Sequence, residues 1–173
     1  MEDPSPFTLN HDYVVRIVDI DDAERLQPLY DRCSDFALLV DGEPFSATMA
    51  KEGSRAIPEG KSLKDKILFG ISRQSGEMVG LLDVVRDYPD EGTWWIGLLL
   101  LVPEVRGKGI GGKIVQGFAD YIKTQRGKAI MLGVVELNQP AFEFWQRMGF
   151  GLVSKTEPRP FGKKMQAVYV MRR

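Results

Sequence analysis

One cysteine and one histidine among 173 residues leave this chain short of disulfide and metal chemistry. Cys33 has no second thiol to pair with, and His11 alone cannot found a His-rich site, so no metal is expected. Also missing is an uncharged apolar run of about 18 residues, the minimum for a membrane helix. The N-terminus, MEDPSPFTLN, has neither the basic start nor the apolar core of a signal peptide. These absences lead us to expect a soluble cytoplasmic protein with no membrane partner. Neither sign of charge dominates, since 23 Lys/Arg face 24 Asp/Glu for a net charge of −1, and this disfavours a nucleic-acid partner. A chain of this length buries about 70% of its unfolded surface, enough for one self-sufficient core. Residues 1–12, with Pro4 and Pro6 among polar neighbours, are expected to be an N-terminal extension lying against the surface, and 13–173 a single domain.

The charge that is present is unevenly placed. Residues 1–102 hold 10 Lys/Arg and 19 Asp/Glu, net −9, and residues 103–173 hold 13 and 5, net +8. Such segregation suits an anionic ligand held by the later half and a cationic one by the earlier half, unless the two halves interleave in space. Tyr13 to Asp19 is rich in β-branched residues and predicts a strand, followed by a helix through Leu26, Leu29 and Tyr30 that Pro28 would disturb. A short helix is expected over Asp35 to Val40, then a loop or weakly helical cover from Asp41 to Gly60. Lys66 to Ser72 and Met78 to Val85 flank a turn with Gly76 and predict a hairpin; Thr93 to Val102 extends it to a three-strand meander. Apolar residues at Ile110, Ile114, Val115, Phe118 and Ile122 give one helical face. Ala129 to Val135 is another strand, parallel to Thr93–Val102 because a helix joins them. A short helix after Asn138 and an antiparallel pair, Phe150 to Thr156 and Met165 to Met171, complete a mixed α/β reading.

The segment from Leu100 to Lys113, LLVPEVRGKGIGGK, links the last meander strand to the long helix. Amides at a helix start lack internal partners and sit at the positive end of its dipole, so they suit a phosphate group. Four glycines within six residues let a ligand approach the main chain, and Arg106, Lys108 and Lys113 add cations. Three phosphate patterns compete. Gly107-x-Gly109-x-x-Gly112 satisfies a dinucleotide fingerprint as a string, with Glu136 near the position of a ribose acid, but Pro-Glu-Val-Arg separates it from its strand. Gly107 to Lys113 satisfies most of a P-loop and fails at Ile114, where Ser or Thr should bind magnesium.

The third pattern, Arg106-x-x-Gly109-x-Gly111, resembles the acetyl-CoA signature of the GNAT superfamily of N-acetyltransferases, commonly Arg/Gln-x-x-Gly-x-Gly/Ala. Asn138-Gln-Pro-Ala141-Phe-Glu-Phe144-Trp145-Gln-Arg-Met-Gly149-Phe150 resembles the second hallmark of that family. The resemblance implies an α/β fold with a mostly antiparallel sheet of six to seven strands, splayed between strands 4 and 5 and flanked by about four helices. It implies an acetyltransferase that moves an acetyl group from acetyl-CoA, a co-substrate, to a primary amine of a small molecule or protein by direct attack in a ternary complex. The alternative is a catalytically silent acyl-CoA-binding sensor module. A monomer or homodimer fits either.

Carried over position by position, Leu100, Leu101 and Val102 would pair with the pantetheine arm, and Arg106, Gly107, Lys108, Gly109, Ile110, Gly111 and Gly112 would hold the pyrophosphate. Asn138, Phe144 and Trp145 would complete the cofactor site, although Asn138 also reads as a plain helix cap. A main-chain N–H of strand 4, assigned to Leu100, would meet the developing oxyanion. Glu91 is the nearest acid before that strand and the first candidate for the base, with Asp83 its rival on the preceding strand. Trp145 stands where many relatives place a tyrosine acid, and an indole N–H is no proton source at neutral pH. Cys33 is expected in the core. Trp94, Trp95, Tyr88 and Phe45 are candidates for an acceptor pocket.

Overall fold

The computed structural model describes residues 5–173, so the first four residues of the expected extension lie outside the described residues. Strand β1 (Tyr13–Val18) pairs antiparallel with β2 (Lys66–Arg73), β2 with β3 (Met78–Arg86) and β3 with β4 (Thr93–Leu101). After the long helix α4 (Ile110–Thr124), β5 (Ala129–Val135) lies parallel to β4, the direction that a helical crossover imposes. The sheet closes with β6 (Gly151–Lys155) and β9 (Val168–Arg172) in the order β1-β2-β3-β4-β5-β9-β6. A separate hairpin, β7 (Arg159–Phe161) and β8 (Lys164–Gln166), interrupts the expected final strand, which breaks at Ala167.

Three short helices cover one face: α1 (Gln27–Arg32), α2 (Ser34–Val40) and α3 (Met49–Arg55). Pro28 does not disturb a helix here; the chain runs as a 3-10 helix to Leu26, and α1 starts with the proline in its first turn, where no N–H is missed. The 41–60 cover is helical only over α3. The other face is packed by α4, whose Ile110, Ile114, Val115, Phe118, Ala119 and Ile122 are buried. Phe118 sits 5.9 Å from the Phe69 ring and 5.8 Å from Trp94. Burying side chains of this size contributes roughly 1.5–3 kcal/mol each. The described part of the extension joins this core, with Phe7 stacked edge-on to Phe69 at 5.5 Å. Helix α5 (Gln139–Arg147) follows β5, capped by the Asn138 side chain on the Ala141 N–H at 3.2 Å.

The sheet is split in its middle. β4 and β5 pair only from Thr93–Ala129 to Ile96–Leu132; beyond that, β4 runs on to Leu101 and β5 to Val135 without each other. A bulge sits at the vertex: Val84 opposes Ile96 and Asp83 opposes Leu98, so Gly97 is the extra residue of β4. Gly97 and Gly133, the first residues past the last pair on either strand, are both exposed.

Candidate functional site

The fork sets out two kinds of main-chain group. Val102 N–H donates to Val79 C=O at 3.0 Å, and antiparallel alternation gives Leu100 the same orientation. The main chain of Leu100 and Val102 is thus engaged with β3, and the edge facing the gap belongs to Leu99 and Leu101. This corrects the expected oxyanion amide: a Leu100 N–H spent in the sheet cannot meet an oxygen in the fork, whereas Leu99 N–H faces it. At Leu101 the C=O is taken by Arg106 Nε at 2.7 Å, with Cys33 Sγ at 3.4 Å.

At the end of β4 the glycine turn is open. Gly107 and Gly109 have φ of 70° and 79°, a region that side chains with a Cβ rarely adopt, and a Cβ at either would meet nothing within 4 Å. Gly109 is the N-cap of α4 and offers no side-chain acceptor. Lys113 N–H closes the first helical hydrogen bond, onto Gly109 C=O at 3.2 Å, so the amides from Gly107 to Gly112 precede the helical ladder. Lys108 is exposed beside them. Gly111 and Gly112 serve packing, since a Cβ there would stand 3.3 Å from Phe144 and 3.5 Å from the Met148 sulfur. Phe144 is a half-buried wall below the turn. Trp145 is buried instead, edge-on to Phe144 at 5.0 Å and to Phe150 at 5.1 Å, which makes it a core residue.

Arg106 does not stand free for a phosphate. Besides Leu101 C=O it engages both carboxylate oxygens of Asp35 on α2, and these bonds hold the Asp35 carboxyl below the usual range. Arg32 of α1 adds a second tie to the turn, 3.4 Å from Glu104. Gln166, fully buried, donates to Val40 C=O at the end of α2 and accepts from Leu137 N–H at 3.3 Å, so it joins the helical cover to the loop before α5. Asp35, Gln166 and Gly97 were not anticipated from the sequence: their partners lie 71 and 126 residues away, and a bulge leaves no sequence pattern. Glu136, the residue a dinucleotide fold would set on a ribose, accepts from Ala167 N–H and pairs with Lys155.

Of the candidate bases, Glu91 is exposed in the turn before Thr93, at the end where β4 and β5 are closed. Three strand steps, about 10 Å, separate Thr93 from the vertex at Ile96, so the structure places Glu91 at the closed end of β4 and not beside the fork. His11 is exposed near the β1 edge. Asp83 lies at the vertex, 5% exposed, with Oδ2 2.9 Å from Lys66 Nζ. The four aromatic candidates separate: Trp94 is in the core, Tyr88 stacks edge-on to Trp95 at 5.6 Å on the other face, and Phe45 packs on Tyr30 at 5.1 Å. Cys33 is buried. Among the described residues no group of three His, Cys, Asp or Glu side chains is placed to hold a metal, and no helix is long and apolar enough to cross a membrane.

The fold has many solved counterparts. An acetyltransferase from Thermus thermophilus superposes with a TM-score of 0.72 at 21% identity, over 92% of this chain and 96% of the other. Spermidine N-acetyltransferase from Vibrio cholerae, in complex with CoA and spermine, gives 0.71 at 17% identity, over 94% and 95%. In sequence, N-alpha-acetyltransferase 30 of Schizosaccharomyces pombe is 36% identical over 56 residues, a stretch of 32% of this chain and 37% of that protein. The acetyltransferase (GNAT) family model matches residues 24–150. That span runs from the helical cover through the fork, the glycine turn and α5, and the chain belongs to this family.

Proposed function

We propose that the protein transfers the acetyl group of acetyl-CoA to a primary amine of a small molecule or a protein, by direct attack within a ternary complex. The observation that carries this reading is the fork: a strand edge without its β5 partner after Ile96, ending in a glycine turn whose amides precede the α4 ladder. An extended pantetheine arm has amide groups spaced to pair with the main chain of Leu99 and with Leu101 N–H as an added strand, Leu101 C=O being held by Arg106. The pyrophosphate fits the Gly107–Gly112 amides, with Lys108 supplying charge and the open space at Gly107 and Gly109 supplying room. Asn138 and Phe144 line the β5 side. Leu99 N–H is the donor for the developing oxyanion, and the thioester supplies the activated acyl group without a covalent enzyme intermediate.

The relatives support the acceptor class, since one is named for spermidine and another for α-amino groups, both amines. One observation favours the alternative, a silent acyl-CoA-binding module: Trp145 is packed in the core, so α5 offers no tyrosine acid to the leaving thiolate. A coenzyme thiolate is a fair leaving group unaided, and the catalytic reading is retained. The test is twofold. Acetyl-CoA at 100 times its dissociation constant should stabilise the fold by about 2.7 kcal/mol, while NAD and Mg-ATP leave the melting point unchanged. Thiol release with spermidine, small primary amines and unblocked peptides should then exceed the amine-free rate. Binding without release would select the silent module, and no response to any CoA ester would remove both readings.

A further inference from the structure

We infer that Asp83, beside Gly97 at the vertex of the fork, accepts the proton of the incoming ammonium; this deepens the acetyl-transfer reading and rests on it. Asp83 is in the middle of β3, and its Oδ1 is, among the described residues, the buried side-chain polar atom that has no hydrogen-bond partner. A buried carboxylate oxygen left without a donor is costly, and folds keep such groups where something else compensates. What lies beside it is the bulge residue: a Cβ built on Gly97 would stand 3.7 Å from Oδ1 and 3.8 Å from Cγ. The φ of Gly97 lies outside the left-handed region, so backbone strain does not demand a glycine there. Gly97 is exposed, at the first position past the last β4–β5 pair, so the orphaned Oδ1 lies next to the open start of the fork.

The charged surroundings suit the task. Lys66 of β2 faces Oδ2 and is itself fixed by donating to Ala56 C=O at 2.7 Å. From α1 comes Tyr30, whose phenol burial pushes upward and keeps neutral, with the Asp83 charge acting in the same direction. Burial pushes the Asp83 carboxyl up to about 6 against the pull of Lys66. The group is thus ionised at neutral pH, yet more basic than an ordinary aspartate.

In the step itself, the ammonium passes one N–H proton to Oδ1, and the freed nitrogen lone pair attacks the thioester carbonyl carbon. A C–N bond forms and the C–S bond breaks, its electron pair leaving with the sulfur. The thiolate takes the second nitrogen proton, and Asp83 returns the first to solvent before the next cycle.

Asp83→Asn alone strands the buried Lys66 charge, so the decisive variant is Asp83→Asn with Lys66→Met, which removes both charges. Calorimetry should show acetyl-CoA affinity within about 3-fold of the parent. With the best amine of the panel above, kcat should fall about 100-fold or more, and the loss of activity below pH 6 expected of the parent should vanish. A folded double variant that retains kcat within about 3-fold would overturn the inference and leave the pair a structural one. Failure of the parent to bind acetyl-CoA would instead refute the underlying reading. A readout free of any acceptor is the carboxyl carbon resonance of Asp83 in the parent protein, expected to titrate near pH 6; a carboxyl still ionised at pH 4 would also overturn it.

Discussion

Arg106 occupies the first position of the glycine-turn pattern, yet the fold spends it on a strut. Its Nε holds Leu101 C=O, and its two terminal nitrogens hold Asp35 of α2, so the turn, the end of β4 and the helical cover are tied at one point. A strut and a direct phosphate ligand make different predictions. If the guanidinium acts by fixing the turn, Asp35→Ala and Arg106→Ala should each weaken acetyl-CoA binding by a similar factor, about 10-fold or 1.4 kcal/mol. The double variant should lose little more, because the two residues form one unit. Direct phosphate contact would leave Asp35→Ala near the parent and make Arg106→Ala the larger loss. Calorimetric titration of the three variants decides between them. The pattern in the sequence pointed to Arg106 but not to its partner. An exposed Asp at position 35 reads as an ordinary first-turn residue of a short helix, and only the packing of α2 over the fork gives it a role.

At the scale of elements, what the sequence revealed and what it hid divide along the range of the forces involved. The glycine turn, the apolar face of α4, the Asn138 cap and the β2–β3 hairpin follow from neighbours a few residues apart, and each was legible. The parallel pairing of β4 and β5 followed from the helix between them. Where pairing stops was not legible: the sequence LLLL at 98–101 has no mark that shows which main-chain groups face β3 and which face the gap. The bulge at Gly97 shifts that alternation by one residue, which is why Leu99 replaces Leu100 at the fork. The break at Ala167 has a similar cause, since Ala167 N–H turns to the Glu136 side chain. The turn yields a graded prediction. Gly109→Ala meets no atom and should cost only the strain of a left-handed φ, about 1–2 kcal/mol of stability, with acetyl-CoA binding weakened no more than about 10-fold. Gly109→Glu adds bulk and a negative charge in front of the helix-start amides and should abolish binding. Melting curves give the first number and titration the second; a Glu variant that still binds as the parent does would move the phosphate site elsewhere.

For the whole molecule, the fork coincides with the division of charge along the chain. β1 to β4 and the cover of α1 to α3 come from the half with net charge −9, while β5, β9, β6, the β7–β8 hairpin and the glycine turn come from the half with net charge +8. The sheet order keeps the strands of the two halves apart, while α4 of the basic half packs across β2 and β4, and Arg106 and Lys163 pair with Asp35 and Glu43 of the acidic half. On the proposed placement, a polyanionic CoA ester at the turn would meet the exposed Lys108 and Lys113. Fields of this kind are screened over about 10 Å at 0.1 M salt and about 3 Å at 1 M. The dissociation constant of acetyl-CoA should accordingly rise about 5- to 10-fold between 50 mM and 500 mM NaCl, and Lys108→Gln should flatten that slope. S-acetylpantetheine, which keeps the arm and the thioester but carries no phosphate, is the control: it should bind more weakly than acetyl-CoA at low salt and respond little to added NaCl. Equal salt dependence for the two ligands would place the origin of the effect in the fold itself. A flat response for acetyl-CoA would mean that the segregated charge plays no part in holding it.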